Sequence, residues 1–180
     1  MMHNFNMKNY SDHIAIIGAG IAGLTLGIML KKNNIPNVIF ERSSDVSENG
    51  AGISISPNGK RVLEKLEILD ELQINSGNSE KSIFYWNLKE ITTINTNVLT
   101  TSRKCLHDAL LKKYIDLGGN IKFNSELKDI NTKQNQICLK NGEFFKVRHI
   151  AACDGIKSLC HKIESAINSN PIYSGYSVWR

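Results

Sequence analysis

His13-Ile14-Ala15-Ile16-Ile17-Gly18-Ala19-Gly20-Ile21-Ala22-Gly23, running on to Leu30 and followed by Val38-Ile39-Phe40-Glu41, is the stretch that decides how this chain folds. Its first residues are a short apolar, largely β-branched run stopped by glycine, the composition of a strand buried on both faces. From Ile21 to Lys32 apolar residues recur at helical spacing, and Lys31 and Lys32 close the run where cations suit the negative end of a helix dipole. The glycines therefore lie at a strand-to-helix turn. Gly18, Gly20 and Gly23 have the G-x-G-x-x-G spacing: the first permits a tight turn, the second lets the backbone approach a pyrophosphate, and the third lets helix and strand pack closely. The free N–H groups of the helix start would face that pyrophosphate. Glu41 lies 18 residues beyond Gly23, near the spacing of about 20 at which a carboxylate meets ribose hydroxyls. A glycine-rich turn in an unrelated α/β protein would share the spacing but not the strand, helix, second strand and acid around it.

Working outward, the 180 residues are 41% hydrophobic and 22% charged, which suits a globular domain with a sizeable core rather than a disordered chain. The net charge of +5 comes from lysines scattered singly or in pairs. Attraction to phosphate-bearing ligands follows, whereas nucleic-acid binding does not, since no basic run or nucleic-acid motif is present. Cys105, Cys138, Cys153 and Cys160 form no C-x-x-C pair and share no zinc-like spacing with the histidines, so they read as reduced thiols with no metal site. Residues 1–12 lack the apolar core of a signal peptide, and the apolar stretch from Ile14 to Leu30 is too short and glycine-rich for a membrane span. The expectation is a cytoplasmic protein.

Further along, Gly50-Ala51-Gly52-Ile53-Ser54-Ile55-Ser56-Pro57-Asn58-Gly59 reads as a glycine-flanked strand, a Ser56 cap and a Pro57 helix start, with Val62, Leu63, Leu66 and Leu69 on one helix. The alternative is a mobile loop before an ordinary amphipathic helix. Ile83-Phe84-Tyr85-Trp86 with Ile91 and Ile94 reads as two strands of a hairpin or second sheet, whose aromatics are expected to serve packing. Ser102 caps a helix from Arg103 to Leu117, stopped by Gly118-Gly119. Arg103 in the first turn opposes the helix dipole, which suits either an anionic ligand or a neighbouring carboxylate. Ile121–Phe123, Ile137–Lys140 and Phe144–Val147 read as strands, the last two joined by the hairpin turn Asn141-Gly142. His149–Cys153 is again a buried strand, and Asp154-Gly155 follow at its carboxyl end, where doubly wound sheets bind ligands.

Four blocks in order resemble the class A flavoprotein monooxygenases, which have the p-hydroxybenzoate hydroxylase fold: Gly18-x-Gly20-x-x-Gly23 with Glu41-Arg42; the block from Gly50 to Asn58; Arg103-x-x-Leu106; and Cys153-Asp154-Gly155-x-x-Ser158. Tyr173-Ser174-Gly175-Tyr176-Ser177-Val178-Trp179-Arg180 resembles the family's lead into its substrate sheet. The resemblance implies an α/β, Rossmann-like FAD-binding domain over residues 1–180 with a mainly parallel sheet and a small β-rich portion, the substrate sheet beginning near 81–100 and 171–180. It implies FAD held by Gly18, Ala19, Gly20, Ile21, Ala22 and Gly23, by Glu41 and Arg42, by Gly52 and Ile53, by Arg103, and by Asp154 and Gly155. It also implies NADPH or NADH as co-substrate, and oxygen insertion into an aromatic or similar small molecule through a flavin C4a-hydroperoxide. No side chain is assigned a catalytic role. The family motif continues to an arginine where this chain has His161, and the family's second flavin motif has no counterpart before Arg180. The expectation is the N-terminal portion of a truncated or split enzyme, incomplete when isolated, with a separately encoded C-terminal half as partner. The alternatives are a non-catalytic nucleotide-binding remnant or another FAD- or NAD-dependent oxidoreductase.

Overall fold

The computed structural model describes residues 8–45, 52–164 and 172–176. Gly50 and Ala51 of the glycine block, and residues 177–180 of the segment expected to lead into a substrate sheet, lie outside these residues. The chain divides into two compact units, one built from residues up to Val46 and from Tyr114 onward, the other from Ser47–Lys113.

The first unit is a mixed sheet with helices. Strand β1 (Lys8–Ile17) leads through the glycine turn into α1 (Ile21–Lys32) and returns as β2 (Asn37–Phe40), with all four β2 residues buried. After the last turn of α4 (Arg103–Asp116) come β6 (Ile121–Lys122), β7 (Leu127–Asn131), β8 (Gln136–Leu139), β9 (Phe144–Ala152) and α5 (Leu159–Glu164). The six strands lie in the order β6-β2-β1-β9-β8-β7. β6, β2, β1 and β9 are parallel, and β8 and β7 are added antiparallel. The three expected apolar runs are therefore neighbours, β2-β1-β9, in one mainly parallel sheet.

Two readings need correction. The two runs expected at Phe144–Val147 and His149–Cys153 form one continuous strand that ends at Ala152, because β1 extends back to Lys8 and pairs with it, with a bulge between Tyr10 and Ile14. β7 has no expected counterpart at all. Its register slips between Leu127 and Asp129, so its buried residues, Leu127 and Ile130, stand three apart rather than two and hide the strand period. Both belong to the core that also holds Ile17, Phe40, Leu139, Phe145 and Val147. Gly119 closes the end of α4: its amide donates to the Tyr114 carbonyl at 2.8 Å, and a Cβ there would meet the Tyr114 ring.

The second unit carries β3 (Gly52–Ile55), α2 (Pro57–Lys65), α3 (Leu69–Ile74), β4 (Gly77–Trp86), β5 (Lys89–Ser102) and the start of α4, with the antiparallel sheet ordered β3-β5-β4. Ser56 caps α2 and Pro57 is its first residue. The single helix expected through Leu69 is broken instead: Glu67 takes φ +59°, and the Ile68 amide turns back to the Leu63 carbonyl at 3.1 Å. That turn buries Leu66, Ile68 and Leu69 together. The β4–β5 hairpin forms around Asn87-Leu88, both in the left-handed region as a two-residue turn requires. Its aromatics, however, do not serve packing within their unit. Phe84, Tyr85 and Trp86 are 50%, 60% and 71% exposed, at the end of the hairpin beside its turn.

Candidate functional site

Side-by-side parallel strands bring their carboxyl ends together, so Ile17, Phe40 and Ala152 deliver Gly18, Glu41 and Cys153-Asp154 to one edge of the sheet. The Gly18 amide donates to the Phe40 carbonyl at 2.8 Å, and the Cys153 amide to the Ile17 carbonyl at 2.9 Å. Gly18 has φ +102°, and a Cβ there would stand 2.6 Å from the Cys153 carbonyl oxygen. Glycine is needed for conformation and for space. At Gly23 a Cβ would fall on the Gly18 carbonyl oxygen, which is how closely α1 seats against the turn. Gly20 differs from both. Its backbone is ordinary extended chain, φ −73° and ψ −176°, and nothing lies within 4 Å of where a Cβ would stand. It is the N-cap of the 12-residue α1, and no side chain among the described residues caps that helix. The loop thus leaves an open, electropositive helix start.

The Glu41 carboxylate reaches back to this loop. One oxygen accepts the Ala19 amide at 2.8 Å and the other the Ser43 amide at 2.9 Å. Its backbone is held too, its amide donating to the Lys122 carbonyl and its carbonyl accepting the Ser125 amide at 2.7 Å. An ionised carboxylate has about four acceptor positions, so two amides leave room for hydroxyl donors. Arg42 is exposed beside it.

Asp154 is committed differently. It accepts the Ser158 hydroxyl at 2.6 Å and the Leu159 and Cys160 amides at 2.7 and 3.2 Å, satisfying the start of α5. Partial burial works against its charge, but these hydrogen bonds outweigh it and hold the carboxyl below the usual range. Burial and the Asp154 charge push the Cys160 thiol up to about 12. Gly155 turns the chain at φ +79°.

A cleft of about 260 Å³ opens among these groups, lined by Gly18, Glu41, Arg42, Asp154 and Lys157 over an apolar floor of Ile17, Phe40, Leu127 and Leu159. Ser125, Glu126 and Lys140 complete it. The sequence reading missed these last three, along with Leu127, Lys157 and Leu159. Leu127 was hidden by the irregular period of β7, while Lys140 stood next to the recognised Asn141-Gly142 turn with nothing to tie it to Glu126.

The remaining expected residues gather on the other unit. Gly52 pairs with Ser102 and Ile53 with Thr101. The Ser102 hydroxyl accepts the Cys105 amide at 3.0 Å and starts α4, so Arg103 is presented, exposed, beside Gly52.

The sequence matches the family model for the FAD binding domain over residues 12–170, and the chain belongs to that family. It is 33% identical over 162 residues to Monooxygenase 1 of Arabidopsis thaliana, covering 81% of this chain and 38% of that protein. A shorter stretch of 66 residues, 37% of this chain and 17% of the relative, is 46% identical to 3-amino-4-hydroxybenzoate 2-monooxygenase of Streptomyces cremeus. Among solved structures, 2-methyl-3-hydroxypyridine-5-carboxylic acid oxygenase superimposes with a TM-score of 0.77 at 31% identity, over 82% of this chain and 40% of that one. The chain spans about two fifths of the length of the relatives it matches along most of its length. Among the described residues no helix is long and apolar enough to cross a membrane.

Proposed function

We propose that this chain binds FAD and provides the cofactor-holding part of an NAD(P)H-dependent monooxygenase acting on a small aromatic or similar electron-rich molecule. The observation that carries the reading is the open, uncapped start of α1 over Gly20 beside the Glu41 carboxylate, a cradle shaped for a pyrophosphate and the ribose attached to it. The loop from Gly18 to Gly23, with Ala19, Ile21 and Ala22, takes the pyrophosphate on its amides, and Glu41 accepts from the ribose hydroxyls. Arg42 and Lys157 offset the carboxylates around the anionic ligand. Asp154 and Gly155 shape the opposite wall, Asp154 acting through the start of α5. Gly52, Ile53 and Arg103, gathered on the second unit, are assigned to FAD as well. Bound FAD supplies the redox and oxygen chemistry, while the protein's part is to bind, orient and exclude water. Four free cysteines suit a reducing compartment such as the cytoplasm.

The test is titration of the purified chain with FAD, followed by flavin fluorescence and by equilibrium dialysis. Saturable binding that ADP displaces is expected, together with NADH or NADPH oxidation by the loaded protein. FAD that fails to bind saturably, or that ADP does not displace, would remove the assignment.

A further inference from the structure

Beyond Glu41 the cleft continues past Ser125 to Glu126, and nothing in the family signature speaks to that end. The segment from Asn124 to Glu126 runs alongside Glu41–Ser43, the Asn124 amide donating to the Ser43 carbonyl at 3.0 Å and the Ser125 amide to the Glu41 carbonyl. Glu126 therefore follows directly upon the residue that anchors the ribose-binding acid. It is gripped by one residue twice, Lys140, which directly follows β8. The Lys140 amide donates to the Glu126 carbonyl at 2.8 Å, and the Lys140 ammonium pairs with Oε1 of its carboxylate. Both residues line the cleft. The grip orients the carboxylate through Oε1, and no hydrogen bond to Oε2 occurs among the described residues.

We infer that Glu126, positioned by Lys140, is a specificity-determining residue that accepts a hydrogen bond from the exocyclic amino group of the ligand's adenine ring. The inference rests on FAD occupying this cleft. The chemistry follows from what each purine edge offers. An ionised carboxylate only accepts, and adenine presents an amino donor where hypoxanthine and guanine present a carbonyl oxygen. A carboxylate facing position 6 of the ring favours the adenine amino group over the carbonyl oxygen that the other two present there. Lys140 matters because an oriented carboxylate loses less freedom on binding than a solvated one.

The test compares ADP with purine riboside 5′-diphosphate, which lacks only the amino group, and with IDP. Affinities are measured calorimetrically on the full 180-residue chain. The native protein should prefer ADP by about tenfold, the scale of one hydrogen bond to a charged acceptor. In Glu126→Leu the preference should fall to near unity, and Glu126→Gln, which keeps an acceptor oxygen, should retain part of it. Lys140→Ala should lower it without abolishing it. Circular dichroism melts establish that each variant is folded, and the ratio between analogues cancels any general loss of affinity. An unchanged ADP preference in folded Glu126→Leu would overturn the inference while leaving the FAD assignment standing. A native protein that binds none of the three nucleotides would overturn both.

Discussion

Gly20 and Gly23 stand three residues apart in one loop, yet their replacement by alanine should do opposite things. At Gly20 the backbone is in a region open to any residue, and a methyl group would meet nothing within 4 Å. Alanine is a poorer N-cap than glycine but less costly to order, and these terms are each about 0.5–1 kcal/mol and opposed, so stability should stay within about 0.5 kcal/mol of the native protein. The methyl would instead occupy the space over the uncapped start of α1, where the pyrophosphate is assigned. FAD and ADP affinity should fall at least tenfold. At Gly23 the methyl would land on the Gly18 carbonyl oxygen and stand 3.3 Å from the Ile16 side chain. The obstruction is backbone, so no rotamer relieves it, and α1 must move off β1. Overpacking of this kind costs about 1–3 kcal/mol. Urea denaturation measures stability, and nucleotide titration below the unfolding transition measures affinity. If Gly20→Ala kept full affinity, or Gly23→Ala kept the native midpoint, the account of the loop would be refuted.

Glu41→Ala should weaken ADP and FAD binding by about 1.5–3 kcal/mol, the scale for hydrogen bonds to a charged group, and equal titration curves for variant and native protein would remove its role. Asp154→Asn tests the cap by pH. Because the Asp154 carboxyl is held below 3.8 in the folded chain, its ionised form contributes stability above that value, and the contribution disappears as pH falls through the lower folded value. The stability gap between native and variant, read from urea midpoints, should therefore be widest near neutrality and shrink below about pH 4; a gap that grows on acidification would contradict the capping role. Tyr114→Phe removes the hydroxyl that donates to buried Asn37 at 2.9 Å, at a cost of about 1–2 kcal/mol in thermal or urea unfolding, with FAD affinity unchanged. Burial raises the Tyr114 pKa to about 12, so that donor persists across the neutral range.

Local chemistry was legible from the residues alone. The β1–α1–β2 unit, the cap at Ser56, the stop at Gly118-Gly119 and the turn at Asn141-Gly142 each depend on neighbours a few positions away, and each is present where its residues stand. Three glycines and an acid likewise announced the loop, because φ +102° at Gly18 and a Cβ-free contact at Gly23 admit little else. What required the tertiary structure was everything set by pairing across long separations. The slipped register of β7 concealed a strand whose residues lie opposite β8, and the break at Glu67 answered the burial of Ile68 rather than any local breaker. Asp154 showed its engagement with α5 only once Leu159 and Cys160 folded back on it. Glu126 and Lys140 carry no motif between them, and it is the meeting of the chain before β7 with the end of β8 that makes them a pair at the mouth of the cleft.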